Sequence, residues 1–301
     1  MWSLLSRTIQ VFIDDECPRL AAALAYYTFF SLPALLVAIV YVGGLVVDKQ
    51  DVTNRLNSHF EETIGTEGAK QLTAILQNAS QPQKSTAGWL VGSAMLVLGA
   101  TGALQELQTA LNRAWRVEPD PKQGGLQRFF LKRLVSLLLL LGIGLLLTAS
   151  LAINWGLKAF GEWLDTNPQD WLTSNLMGWM HTGVSLIVIT VLFAFLLRFL
   201  PDAEVGWSDV WSGAAVTAVL FWLGQSALSM YFTWSKPTSA YGAAGSLALV
   251  LLWIYYSGLI FFLGAEFTQV LATARGRYVA PSDGARRPDV NNAPSKNRRA
   301  A

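Results

Sequence analysis

Three long apolar stretches of this 301-residue chain each carry a single charged side chain: Glu106 in 88–111, Arg198 in 180–200 and Glu266 in 242–271. Arg113 follows just beyond the first of them. A charge at membrane depth costs at least ~2.5–3.5 kcal/mol on insertion scales, so each must find protein or water. Gly99, Gly102, Glu106, Thr109 and Arg113 are spaced by three and four residues, which puts them on one small, polar helix face. Three readings of Glu106 stand: half of an interhelical ion pair, part of a substrate or ion pathway, or a residue at a span boundary. Glu106, Glu266, Arg113 and Arg198 fall toward the same leaflet. Two acids and two bases at one depth either close into a network or leave an acid free to exchange protons.

The connection after the first of these stretches holds Arg113, Arg116, Lys122, Arg128, Lys132 and Arg133. Cations beside a span attract anionic lipid head groups at ~1 kcal/mol each near the surface. The same cations also orient the chain, and orientation alone accounts for them. A nucleic-acid surface would need a folded platform with stacking aromatics, so no nucleic acid is expected. Pro33 falls inside the first apolar stretch and predicts a kink, serving either packing or gating. His59 and His181 stand far apart, Cys17 is the one cysteine, and HExxH, GxSxG, Walker and dinucleotide motifs are absent. No metal, cofactor or enzymatic activity is expected.

These residues need elements to hold them, and the composition says which kind. The chain is 52% hydrophobic and only 14% charged, against roughly 25% charged in an average soluble domain. Six stretches, 21–47, 88–111, 134–157, 180–200, 210–232 and 242–271, each reach the ~20 residues that cross a bilayer as a helix. Lys and Arg number 2, 6, 0 and 7 in segments 1–20, 112–133, 201–209 and 272–301, but 4, 1 and 1 in 48–87, 158–179 and 233–241. The richer side is cytoplasmic, which puts both termini inside. Trp115, Trp207 and Trp211 fall at the inner edge and Trp89, Trp155, Trp163, Trp171, Trp179 and Trp234 at the outer, whereas Trp222 and Trp253 read as buried.

The expected fold is all-α: a polytopic membrane protein, a six-transmembrane-helix bundle over 1–275. An N-terminal interfacial helix covers 2–17, with Trp2, Leu5, Ile9, Phe12, Ile13 and Cys17 on its apolar side and Arg7, Asp14 and Asp15 opposite. A small periplasmic cap of two short helices covers 51–79 within 48–87, broken at Gly65 and Gly68. The tail 276–301 is expected to be disordered. Gly213, Thr217 and Gly224, with Gly242, Gly245 and Ala248, make small faces for tight helix contact, and Ser208 or Asp209 reads as the N-cap of 210–232. The Leu-rich stretch 134–157 is expected to face lipid.

Four segments carry a resemblance: AAALAYYTFFSLPALL (21–36), ATGALQELQTALNRAWRV (100–117), RFLPDAEVGWSDVWSGAAVTAVLFW (198–222) and YGAAGSLALVLLWIYYSGLIFFLGAEFT (241–268). In this order they resemble the YihY/BrkB family of bacterial inner-membrane proteins, a family once mislabelled ribonuclease BN. The resemblance implies a six-helix membrane protein. Roles proposed for the family are movement of lipids or lipopolysaccharide precursors, resistance to serum killing, and cation/proton antiport. Expected partners are therefore membrane lipids and an anionic lipid or ion substrate, with a homo-oligomer left open. The leading functional expectation is transport or flipping of a lipid-like anionic amphiphile. The others are proton-coupled cation exchange through Glu106 and Glu266, and a structural role in the envelope.

Overall fold

A computed structural model describes residues 2–44, 48–80, 102–120, 171–235 and 243–288. The expected span 134–157, the first part of 88–111 and the connection 121–133 lie outside the described residues. Seven helices are seen among them: α1 (Trp2–Asp14), α2 (Cys17–Gly43), α3 (Lys49–Ser80), α4 (102–114), α5 (Trp171–Phe199), α6 (Trp207–Ser235) and α7 (Ala243–Ala274). Two short strands, β1 (Glu118–Pro119) and β2 (Ala285–Arg286), pair antiparallel. Within α5, α6 and α7, the segments Thr182–Phe199, Trp207–Leu228 and Leu247–Ala274 are long and apolar enough to cross a membrane. Helices are the form such sequences must take, because lipid offers backbone groups no partners.

The α6–α7 contact shows how sequence sets packing. A Cβ on Gly213 would fall on the Thr268 side chain, and one on Gly264 on that of Thr217. Farther along, Gly224 meets Tyr256 and Ile260. The pairing runs antiparallel, and both helices spell Gly-x-x-x-Thr at the crossing. Each Thr donates its hydroxyl to the carbonyl of the Gly four residues earlier, Thr217 to Gly213 at 2.8 Å and Thr268 to Gly264 at 2.6 Å. No polar group is orphaned where the backbones come closest. The expected small face of α6 is this contact. On α7 the contact uses Gly264 and, toward Leu24 and Ala21 of α2, Gly258; Gly242 lies outside the described residues.

Several expectations are corrected. The segment Lys49–Ser80 is one helix by its backbone pattern, yet Thr73 donates to Asn57 sixteen residues earlier. Sixteen residues of straight helix span about 24 Å, so α3 is not straight between them. Its Val52, Leu72 and Leu76 are buried with Leu32, Leu36 and Val40 of α2 and Val250 and Ile254 of α7. On α1, Leu5, Ile9 and Ile13 are exposed, as are Arg7 and Asp14, whereas Thr8 and, just past its end, Asp15 are buried and Phe12 packs on the core. Trp115 is buried rather than interfacial, and Trp222 is exposed rather than buried. α6 starts at Trp207, with Gly206 accepting the first amides, from Asp209 and Val210.

The tail is also corrected over 276–288. The amide of Ser282 donates to Asp202 O, that of Glu204 to Ala280 O and that of Asp120 to Gly284 O. Arg286 pairs with Glu118 at 2.8 Å. A polar segment without a core of its own is held by another segment's free backbone groups, which composition does not reveal. Residues 289–301 lie outside the described residues.

Candidate functional site

The first turn of α2, the last of α4, α5 and α7, and the first of α6 meet at one end of the bundle, and most described charges gather there. Between α1 and α2 the chain turns at Glu16, whose φ of 56° is left-handed. Its carbonyl accepts the amides of Arg19 (2.9 Å) and Leu20 (3.2 Å), opening α2. α4 ends the same way at Arg116, φ 52°: Arg116 N bonds Arg113 O and Val117 N bonds Asn112 O, a Schellman closure. A non-glycine residue in this conformation costs roughly 1–2 kcal/mol. These are the two such residues among those described, and both adjoin Asp15, as sequence neighbour and as facing charge.

Asp15 and Glu266 occupy the centre of this end. Glu266 is 1% exposed and Asp15 4%. The two carboxyls lie near enough for each to act on the other. The Cys17 thiol donates to Glu266 Oε1 at 3.6 Å. Asp15 Oδ2 and Glu266 Oε2 have no donor. Burial pushes the Asp15 carboxyl above its ordinary range; Arg116 and Arg113 pull it down by less, and Asp14 adds to the rise. Burial, with Glu266 and Asp15 beside it, also raises the Cys17 thiol, so Cys17 stays protonated.

The four residues singled out in the sequence do not form a closed network among the described residues. Arg113 Nη1 donates to Asp15 O (3.1 Å) and Glu16 Oε2 (3.2 Å). Arg19 and Arg113 hold the exposed Glu16 carboxyl below the usual range. Arg198 donates to Val205 O and lies over the Trp207 ring. Glu266 meets the Asp15 carboxyl and the Cys17 thiol, with no ion pair to Arg113 or Arg198 among the described residues. Glu106 is half-buried on α4, and no ion pair reaches it among the described residues. Gly102, one turn before it, is pressed onto Tyr27 of α2. Pro33 lies inside the uninterrupted α2. Lys122, Arg128, Lys132 and Arg133 lie outside the described residues, as do the side chains of His59 and His181.

Two further clusters escaped the sequence reading. Asp202 Oδ2 accepts from Asn112 (2.9 Å) and Gln108 (3.2 Å), and the Asp202 amide donates to Asn112 Oδ1 at 2.7 Å. Buried Asp209 accepts at one oxygen from both Arg275 and Arg277, each at 2.9 Å. The available signal was the polar run Asn112–Arg113 facing Pro201–Asp202, but nothing in spacing says which connections touch. Among the described residues no group of three His, Cys, Asp or Glu side chains is placed to hold a metal ion.

The profile of the virulence factor BrkB family matches residues 8–288. The chain belongs to that family. The match runs from α1 through the strand pair. A UPF0761 membrane protein of Alkalilimnicola ehrlichii is 28% identical over 269 residues, covering 87% of this chain and 56% of the relative. Membrane proteins of the same name from Pseudomonas aeruginosa (27% identical, 88% and 61% covered) and Stenotrophomonas maltophilia (29%, 88% and 59%) are similar. This BrkB-family chain thus spans under two thirds of the length of these relatives. No solved structure matches it. The family and the apolar helices make it a helical membrane protein.

Proposed function

We propose that this BrkB-family chain is a non-enzymatic, six-span inner-membrane protein with cytoplasmic termini that moves a lipid-like anionic amphiphile. What carries the reading is the polar face of α4. Glu106 is half-buried and unpaired among the described residues, and Arg113, two turns further on, stays 36% exposed at its side chain despite its bonds to Asp15 and Glu16. A head group passing along this face meets an acid at depth and cations at the end, while its tails remain in lipid. The test is purified full-length chain in vesicles holding fluorescent lipid, with external dithionite as quencher. Loss of the protected half of the signal, slowed in Glu106→Gln, is the expected result; decay no faster than in empty vesicles sinks the reading.

A second reading, proton-coupled cation exchange, draws on the Asp15–Glu266 contact, where two buried carboxyls stand together. It relies on Glu266 and Asp15, with Glu106 apart. A pH-gradient dye in vesicles given Na⁺ or K⁺ reports it. A response identical in wild type and Glu266→Gln removes this reading and leaves the first intact.

A further inference from the structure

At the corner where α5 ends and α6 begins, four large aromatic residues form an exposed ladder. Phe195 and Phe199 rings lie 5.4 Å apart, Phe199 and Trp207 6.0 Å, and Trp207 stacks on Trp211 at 6.4 Å. Trp207 is 44% exposed and Trp211 47%. Three guanidiniums surround this ladder. Arg198 lies over the Trp207 ring, 5.8 Å from its centroid. Arg277 donates to Ser208 Oγ, and Arg275 reaches Ser212 Oγ at 3.4 Å. Asp209 pairs with two of them, Arg275 and Arg277 sharing a single oxygen of it, and the exposed Glu204 lies beside Val205 in the same connection. The side chains of Arg275 and Arg277 remain 41% and 46% exposed. The corner therefore sets three guanidiniums against the two carboxylates of Asp209 and Glu204, next to indoles, at the end of helices long enough to cross a membrane.

We infer that this corner holds an anionic phospholipid of the leaflet at the charged end. Its phosphate sits among Arg198, Arg277 and Ser208, and its glycerol and upper chains lie against Trp207 and Trp211. Indoles favour head-group depth, where an apolar ring face and a polar N–H are both accommodated. A guanidinium offers a phosphate paired donors. The buried Asp209 fixes Arg275 and Arg277, so little side-chain freedom is lost on binding. This site is separate from the α4 face and does not depend on the transport reading.

The test uses full-length protein in vesicles of phosphatidylcholine mixed with phosphatidylglycerol, with one or the other brominated to quench tryptophan. The quenching of interest is the difference between wild type and Trp207→Phe/Trp211→Phe. Brominated phosphatidylglycerol is expected to quench this pair at lower mole fraction than brominated phosphatidylcholine, a preference on the order of tenfold, declining with added salt. Arg198→Gln/Arg277→Gln leaves Arg275 on Asp209, so no buried acid is stranded, and should bring the preference close to unity. Equal quenching by both lipids in wild type overturns the proposal. So does a preference that ignores salt, which needs no variant, or one that survives in the folded double variant. Lipid scrambling is read on the same vesicles, and its outcome leaves this one unaffected.

Discussion

The carboxyl of Asp15, at the elbow between α1 and α2, faces that of Glu266 on α7, and each keeps an oxygen with no donor. The folded chain therefore holds Asp15's proton above the ordinary value of 3.8. An acid whose folded value is raised binds more protons folded than unfolded, so its contribution falls as pH rises from about 3.8 through the raised value. Asp15→Asn removes the buried carboxyl's charge beside Glu266 and leaves an amide that needs no proton to stay neutral. It should stabilise the protein by about 1–3 kcal/mol at neutral pH, the span of a buried unsatisfied polar group. The gain should vanish at pH 4. Thermal unfolding in detergent across pH 4–8 measures both; a variant less stable at every pH contradicts the assignment.

Gly213→Ala should push α6 from α7, because its Cβ meets Thr268. Overpacking of this kind costs typically 1–3 kcal/mol. Thr268→Ala in the same chain opens the space and should recover much of the loss, a coupling that a double-mutant cycle isolates. Additive losses would show that the two residues do not touch.

Cys17 is the single cysteine, 2% exposed, with its thiol held protonated. Thiolate is the reactive form. Maleimide should leave the native protein unlabelled at pH 8 and label it on unfolding. Prompt labelling of the native form would place Cys17 at the surface.

Gly276 closes α7 with φ +69° and has nothing within 4 Å of where a Cβ would stand. Its amide donates to Thr273 O and that of Arg277 to Ala272 O. Gly276→Ala thus tests backbone strain alone, and about 1 kcal/mol of destabilisation is expected. Arg116→Gly, at the matching position of α4, should stabilise by a similar amount, offset by whatever its charge contributes beside Asp15. Chemical denaturation of both variants supplies the comparison.

Much of the fold was legible because lipid leaves few options: apolar runs of span length must be helices, so α2, α5, α6 and α7 lie where hydropathy put them. The site was less legible. Glu266 stood out as a charge in an apolar run, but its partners are Asp15 and Cys17, not Arg113 and Arg198. Asp15 reads as a polar-side residue, yet it and Thr8 are buried while Leu5, Ile9 and Ile13 stay exposed. An amphipathic pattern shows two faces; it does not say which one meets protein when the surroundings are themselves apolar.

The sequence alone determined the helical membrane character, the family, and the small-residue stripe that lets α6 and α7 touch, because each follows from local composition or spacing. The tertiary structure alone decided which charges meet: Asp15 with Glu266, Asp209 with Arg275 and Arg277, and residues 280–286 with 118–120 and 202–204. The physical reason is that ion pairs and orphaned carboxyls depend on distances of a few ångströms between segments far apart in the chain, and those distances exist only once the helix ends have converged.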